Sequence, residues 1–594
     1  MTPLSRRSFL SRGAATGGAS LLSTSLLTKN LHADEKSRHT MPMPQATNAL
    51  EKNLDAYIAA YMPAMHAPGL TLGLTDGTHT VRAVSYGYSN VEEQTPVTTD
   101  MLFQIGSITK SFLALVLLQL KDEGKLDLHK PVLEYLPWLP IREEYGPITT
   151  HHLLTHSSGL PDNLTYIPAT PGERLVQSSK PGEHFHYCNA GFGILGELAV
   201  KLAGKPWRIA VKERIFDPLE MTASSGVLYT GLRTRMATAY QEYFSDQVYP
   251  RQGRLAVAGG LVMDDTAGCI ASTPGDMAKY ARMLANHGQG PKGRIVSEDS
   301  FKLMSTPYIK ADEFSPTASY GYGIAVDTLD GHTILRHTGG MVAFASSIHV
   351  DLDSNVAAFA SINAMQGYRP TAVTEYAVRL LRAQKDVKEL PAPPAIVSLM
   401  ELEHPEQYAG RFTATDGKAV EFAVEGKGLV LVAEGKKIPL QHEGGDVFVS
   451  TVEGEYTSFP FLFGRAETAS ADAKSADGAA TPAAKGPVVE VSYGGVWYLG
   501  ANYSGSKSFV TPAEYAAYVG HYVAESAWGG ETRVYTLKGK LYAEGGELVP
   551  LGGALFRVGE EAWSPESAEF LHVYEGKARL LRMAGMDFWR VDVY

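Results

Sequence analysis

The stretch Phe103-Gln104-Ile105-Gly106-Ser107-Ile108-Thr109-Lys110-Ser111-Phe112 decides how the rest of the chain is read. Ser107 opens a segment that is apolar nearly all round as far as Leu120, which predicts a buried helix rather than a surface one. On a helix, positions i and i+3 share a face, so Lys110 falls one turn along and beside Ser107. Burial disfavours a charged ammonium. An amine that is neutral part of the time can take the proton of a neighbouring hydroxyl and make the serine a nucleophile. The N–H groups at the start of such a helix face any oxyanion formed there. The pattern S-x-x-K is cheap by itself: Ser504-Gly505-Ser506-Lys507 also matches, in a Gly/Ser-rich loop where it reads as chance. The apolar helix behind Ser107 separates the two.

Working outward, the next chemistry-bearing segment is Phe185-His186-Tyr187-Cys188-Asn189-Ala190-Gly191, followed by a helical pattern to Leu202. Tyr187 and Asn189 fall on one side of an extended turn and Cys188 on the other. A phenol near Lys110 suits a general base, and Asn189 is expected to donate to a substrate carbonyl and to Lys110. Tyr88-Ser89-Asn90 has the same form but precedes the serine, near a turn. The third segment is Leu335-Arg336-His337-Thr338-Gly339-Gly340-Met341. It reads as an edge strand whose glycines let a substrate backbone come close. There the N–H of Gly340 is expected to pair with that of Ser107 as an oxyanion hole.

No single motif is specific, but their order and spacing are. S-x-x-K, then Y-x-N about 80 residues on, then His-Thr-Gly about 150 further, resembles the serine β-lactamase and penicillin-binding protein superfamily. The resemblance is nearest to the class C β-lactamase-like branch, which includes esterases, D-aminopeptidases and DD-carboxypeptidases. Leu153-Leu154-Thr155-His156-Ser157-Ser158-Gly159-Leu160-Pro161, Ile215-Phe216-Asp217-Pro218-Leu219-Glu220-Met221 and Ser272-Thr273-Pro274-Gly275-Asp276-Met277-Ala278 resemble further segments of that branch. The resemblance spans about residues 48–385. It implies an α+β domain in which a helical cluster packs against an antiparallel sheet flanked by helices. It also implies Ser107 as nucleophile, Lys110 and Tyr187 as the proton-handling pair, and Asn189 as a substrate and lysine contact. His337, Gly339 and Gly340 fall in the third, substrate-binding motif. Many members carry Lys where His337 stands, and that cation holds a substrate carboxylate. A histidine is charged only part of the time at neutral pH. The change favours esters, amides and D-amino-acid substrates over β-lactams. D-Aminopeptidases of the branch share a His-x-Gly motif and carry C-terminal β domains, one of which reaches the active site.

The 594 residues predict three or four domains. After the hydrolase-like segment 48–388, Leu390-Pro391-Ala392-Pro393-Pro394 marks a stiff linker over 389–400. Early strands at Leu70–Leu74 and Thr80–Tyr86, a helical middle, and late strands at Ile348–Val350 and Val356–Ile362 predict one sheet that pairs both ends of that segment. Beyond the linker the chain reads as short strands with Gly-rich turns and an internal repeat. Tyr408-Ala409-Gly410-Arg411-Phe412 matches Tyr518-Val519-Gly520-His521-Tyr522, Phe448 matches Phe556, and Trp497 echoes Trp589. A period of about 110 residues suits two tandem barrel-like β domains, 401–503 and 510–594, rather than a solenoid. Residues 466–487, rich in Ala, Asp, Ser and Lys, read as a flexible insertion in the first.

Composition narrows the function. A net charge of −11 lacks the footprint of a nucleic-acid binder. Two cysteines, Cys188 and Cys269, exclude a disulfide scaffold and leave open whether they pair or stay free. The body holds no apolar run of the ~20 residues a membrane span needs. Ser5-Arg6-Arg7-Ser8-Phe9-Leu10 before the apolar stretch Gly13–Leu27 looks like a twin-arginine export signal over residues 1–33, so a soluble bacterial protein outside the cytoplasm is expected. His151, His152 and His156 suggest zinc, but Leu153 stands where H-E-x-x-H needs Glu, and His156 reads as a hydrogen-bonded loop residue. No serine sits in G-x-S-x-G, which disfavours an α/β-hydrolase. The expectation is an exported serine hydrolase acting through an acyl-enzyme on a small-molecule or peptide substrate, without metal or organic cofactor. The alternative is a non-catalytic protein that recognises cell-wall peptides or penicillin.

Overall fold

The computed structural model describes residues 41–163, 166–167, 173–243, 247–248, 255–365, 369–466, 486–526, 528–543 and 545–591. The export-signal reading lies outside the described residues, as does nearly all of the flexible-insertion reading. The N-terminal domain is built on an antiparallel sheet that joins its two ends. Strand β1 (Gly69–Thr75) lies between β2 (Thr80–Asn90) and the late strand β6 (Val356–Ile362), with Leu72 opposite Val84 on one side and Ala360 on the other. The sheet continues through β5 (Phe344–Asp351), β4 (His332–Met341) and β3 (Ala325–Leu329) to short strands at Ser319–Tyr320 and Ile309–Lys310, and Thr95–Pro96 closes the far edge. Helices α1 (Ala49–Ala64) and α5 (Thr371–Lys385) pack together, with α5 lying on β5 and β6; α4 (Pro274–Ala285) also packs against β1, β2 and β6. Strands β1, β5 and β6 are buried along their whole length. Of the three, only β6 reads as a near-continuous apolar run, as expected for a strand covered on both faces. Strand β1 alternates Leu70, Leu72 and Leu74 with Thr71, Gly73 and Thr75, and these small residues are buried as well.

Beside the sheet stands the helical cluster. Its central helix α2 (Thr109–Asp122) buries every residue from Thr109 to Leu118 and also Leu120, and α3 (Asn189–Ala203) packs across it. The helix expected to open at Ser107 opens two residues later. Gly106–Ile108 is a single 3-10 turn, and Gly106 holds a φ of +56°, which a regular helix cannot continue through.

The C-terminal half forms two closed antiparallel barrels of eight strands. The first runs from β7 (Gly410–Ala414) through β8 (Ala419–Glu425), β9 (Gly428–Ala433), β10 (Lys436–Gly444), β11 (Val447–Ser450), β12 (Phe461–Arg465) and β13 (Val488–Tyr493) to β14 (Val496–Leu499). The second runs from β15 (Gly520–Ala524) through β16 (Glu531–Leu537), β17 (Lys540–Ala543), β18 (Gly546–Gly552), β19 (Leu555–Val558), β20 (Ser567–Tyr574) and β21 (Lys577–Met583) to β22 (Met586–Val591). The aromatic part of the repeat, Tyr408/Tyr518, Phe412/Tyr522 and Phe448/Phe556, lies in the two interiors, whereas Trp497 and Trp589 stand outside them. Tyr408 meets Phe448 and Phe463 at ring separations of 4.8 and 5.1 Å, while Tyr518 meets Phe556 and Phe570 at 5.6 and 4.4 Å. Closure leaves neither barrel an unpaired edge strand. Cys188 and Cys269 are free, buried thiols. Among the described residues no helix is long and apolar enough to cross a membrane.

Candidate active site

The turn Gly106–Ile108 is wedged between α2 and β4. A side chain at Gly106 would lie 2.6 Å from the backbone nitrogen of Gly340, and one at Gly339 would overlap the carbonyl oxygen of Ile105. Ser346 of β5 donates to that carbonyl at 2.7 Å. Gly339 on the strand and Gly106 on the turn therefore let the backbones touch, and this brings Gly340 alongside the turn that carries Ser107; a side chain at Gly340 would instead meet the Arg369 guanidinium. Strand β4 pairs with β5 as far as Met341, whereas its pairing with β3 stops at Arg336. The expected edge strand is therefore an inner strand of the sheet: β4 lies between β3 and β5, and only its His337–Met341 end runs past β3, which leaves that end open along one side among the described strands.

Ser107, Lys110 and Asn189 come together. The Lys110 Nζ lies 3.2 Å from Ser107 Oγ, 2.7 Å from Asn189 Oδ1 and 2.9 Å from the carbonyl oxygen of Ala267. The two carbonyl oxygens can only accept. They take two of the amine's hydrogens, and the remaining position faces Ser107: a hydrogen when the amine is charged, a lone pair when it is neutral. Lys110 is fully buried, and these partners offset the cost of removing it from water. Asn189 thus accepts from Lys110 and does not donate to it. Its orientation is fixed by Asp162, whose carboxylate accepts from the Asn189 backbone N–H at 2.6 Å and from Nδ2 at 3.4 Å. That leaves Oδ1 toward the lysine.

Tyr187 enters from the same turn as Asn189. Its ring centroid is 4.9 Å from Lys110 Nζ, and it stacks on His156 at 4.2 Å. His156 accepts the Cys188 N–H on Nδ1 at 2.9 Å, and its carbonyl accepts the His186 N–H at 2.7 Å, so it shapes the Tyr187 turn from behind. Cys188 turns the other way and accepts the Gly191 N–H at the start of α3. Ser107, Tyr187, Asn189 and Gly340 are each partly exposed while Lys110 is not, so the first four are the members of the cluster that reach the surface.

His337 is buried. A carbonyl can only accept, so the 2.6 Å contact to the Thr338 oxygen places a proton on Nδ1, and Nε2 meets the Tyr320 hydroxyl at 2.8 Å. Both ring nitrogens are engaged inside the protein, among the rings of Phe314, Tyr320 and Tyr187. Behind Lys110, Asp265 holds the Ala267 N–H at 2.6 Å. Burial raises its carboxyl above the usual range, against the pull of that N–H and of Lys110. His151 and His152 are committed to Tyr322 and Thr149, and burial pushes both imidazoles down to about 4. Sequence reading missed Asp162, Asp265, Ala267, Tyr320 and Ser346. Asp162, next to the quoted Leu153–Pro161 segment, is the one a signal was near.

Known proteins bear on this arrangement. A family model described as Beta-lactamase matches residues 54–383. Penicillin-binding protein 4 of Amycolatopsis lactamdurans is 29% identical over 350 residues, 56% of this chain and 90% of that protein. Penicillin-binding protein 4* of Bacillus subtilis (strain 168) is 24% identical over 379 residues, 57% of this chain and 78% of that protein. Among solved structures, the octameric penicillin-binding protein homologue from Pyrococcus abyssi is 27% identical with a TM-score of 0.51, covering 69% of this chain and 95% of that one.

Proposed function

The chain belongs to the β-lactamase family, and we propose that it is an exported serine hydrolase that works through an acyl-enzyme on ester, amide or peptide bonds. Ser107 Oγ attacks the substrate carbonyl, and Lys110 with Tyr187 takes its proton. The N–H groups of Ser107 and Gly340 hold the oxyanion. As the tetrahedral centre collapses, the bond to the leaving group breaks and the proton passes to that group. Water then adds to the acyl carbon, gives a proton to the same base, and the Ser107 ester bond breaks to release the acid and restore the hydroxyl. The observation that carries this reading is the triangle of Lys110 Nζ with Ser107 Oγ and Asn189 Oδ1, at 3.2 and 2.7 Å.

His337 supports esters, D-amino-acid amides and peptides ahead of β-lactams, because both of its ring nitrogens are occupied within the protein. Export rests on the Arg6-Arg7 segment and its apolar sequel. The deciding assay offers the protein p-nitrophenyl esters, D-amino-acid amides and a chromogenic cephalosporin, with Ser107→Ala as control. Hydrolysis of one of the first two classes, lost in that variant, is the expected result. Full activity in Ser107→Ala rules out the mechanism. No turnover on any of them favours the non-catalytic recogniser, for which the relatives' name, penicillin-binding protein, is the motive.

A further inference from the structure

We infer that Glu566, carried by the second barrel, is a positioning residue of the N-terminal active site. It lies at the end of the β19–β20 connection and is 7% exposed. Its Oε1 accepts the backbone N–H of Asp162 at 2.7 Å, across 404 positions of sequence, and stands 3.0 Å from Nε2 of His186. A carboxylate can only accept, so that nitrogen carries its proton toward Glu566. The two segments held in this way present the proton-handling groups. Asp162 orients Asn189, and His186 immediately precedes Tyr187. One oxygen from a separate barrel therefore ties the Asp162 loop to the Tyr187–Asn189 turn.

The surroundings show that the barrel is seated in one register here. The Trp563 carbonyl accepts from Ser178 Oγ at 2.7 Å. The Trp563 ring stacks on His184 at 4.4 Å with 6° between planes, and meets His186 edge-on at 6.1 Å. A side chain at Gly585, in the β21–β22 turn, would sit 2.9 Å from Asn163. Burying a carboxylate is costly unless it is hydrogen-bonded, so this ion is tolerated only where the docked segments supply its donors. Loosening the Asp162 amide frees the carboxylate that aims Asn189 Oδ1 at Lys110, and the alignment of Lys110 on Ser107 loosens with it. Glu566 touches neither substrate nor reacting atoms; it acts through Asp162 and His186.

This inference rests on the function proposed above, and its test separates the two. In the full-length chain, Glu566→Ala is expected to lower kcat about 10- to 100-fold, the order of loss that misplacement of a catalytic group brings, with KM changed less than about threefold. Glu566→Gln keeps a neutral acceptor for both N–H groups and is expected to recover most of the rate. Amide exchange of the peptide containing Asp162 is expected to quicken in the Ala variant. Should that variant fail to fold, Glu566→Asp, whose carboxylate is drawn back by one methylene, carries the same expectation. Unchanged exchange at Asp162, or an unchanged kcat, with Ser107-dependent hydrolysis intact in the parent, overturns this inference alone. Hydrolysis that survives Ser107→Ala overturns the functional reading and the positioning role with it.

Discussion

In both barrels the connection between the fifth and sixth strands turns toward the N-terminal domain. In the first, between β11 and β12, the carbonyl of Thr457 accepts the N–H of Val248 at 2.7 Å. In the second, between β19 and β20, the same connection delivers the indole of Trp563 and the carboxylate of Glu566 to the turn that carries Tyr187 and Asn189. The barrels share their strand plan and their Tyr–Phe–Phe interior. They differ at the tip of one loop, where the contact described for the first is a backbone carbonyl and the second adds side chains, Trp563 and Glu566, to the carbonyl of Trp563. Closed barrels hold their interiors by packing, which leaves loop tips free to diverge. Duplication therefore explains the scaffold, and only divergence at that loop explains the contact with the site.

This contrast can be broken or sharpened by experiment. The largest effect should fall outside both barrels and set the scale for the rest. Lys110→Met removes the only amine beside Ser107 Oγ among the contacts described, and proton transfer of this kind contributes about 10²- to 10⁴-fold. A kcat within tenfold of the parent would mean that the site does not run on this lysine, and the second barrel would then be bracing something else. Next come matched core deletions. Phe448→Ala and Phe556→Ala each empty the centre of one barrel, and each should cost about 3–5 kcal/mol in that barrel's stability. Activity followed against temperature should fall with the unfolding of the second barrel in Phe556→Ala, and persist past the unfolding of the first in Phe448→Ala. Equal losses would make the two barrels equivalent to the site and end the contrast.

The smallest effect concerns acid. His151 and His152 have folded values near 4, below the 6.5 of a free imidazole, chiefly through burial. Between those values the unfolded chain binds more protons than the folded one, so stability rises with pH there. Their contribution is complete above about pH 6.5 and drains away as pH falls toward 4. Replacing both with Gln should flatten the decline of Tm between pH 6.5 and 4. An unaltered slope would move the acid sensitivity out of the helical cluster and into the barrels or elsewhere.

Much of the fold was legible because it is written in local pattern. The apolar stretch after Ser107, the paired glycines 339 and 340, and the repeated Tyr–Gly and Phe signals each occupy a few adjacent positions. The open sheet that pairs the two ends of the domain followed from strand readings at both of those ends. The start of the α-helix was read two residues early: Ser107 sits in a 3-10 turn leading into α2, behind a Gly106 whose positive φ and close approach to Gly340, more than two hundred positions away, are not written in the local pattern. Asp162 and Asp265 escaped for a related reason: an isolated aspartate in a loop looks the same whether it faces water or grips a backbone N–H. Asn189 was correctly placed beside Lys110 but given the wrong polarity, because which end of an amide faces a lysine depends on what holds the other end.

The 404 positions between Asp162 and Glu566 also have a meaning in time. Domains of a growing chain fold as they emerge, N-terminal first. The serine, the lysine and the sheet behind them can assemble while both barrels are still to be synthesised. The oxygen that fastens the 162 loop arrives only after the first barrel is complete. A polypeptide cut short before that point would hold Ser107 and Lys110 without the final fastening of the 162 loop, so on the proposed function the full rate would report that the ribosome had passed codon 566.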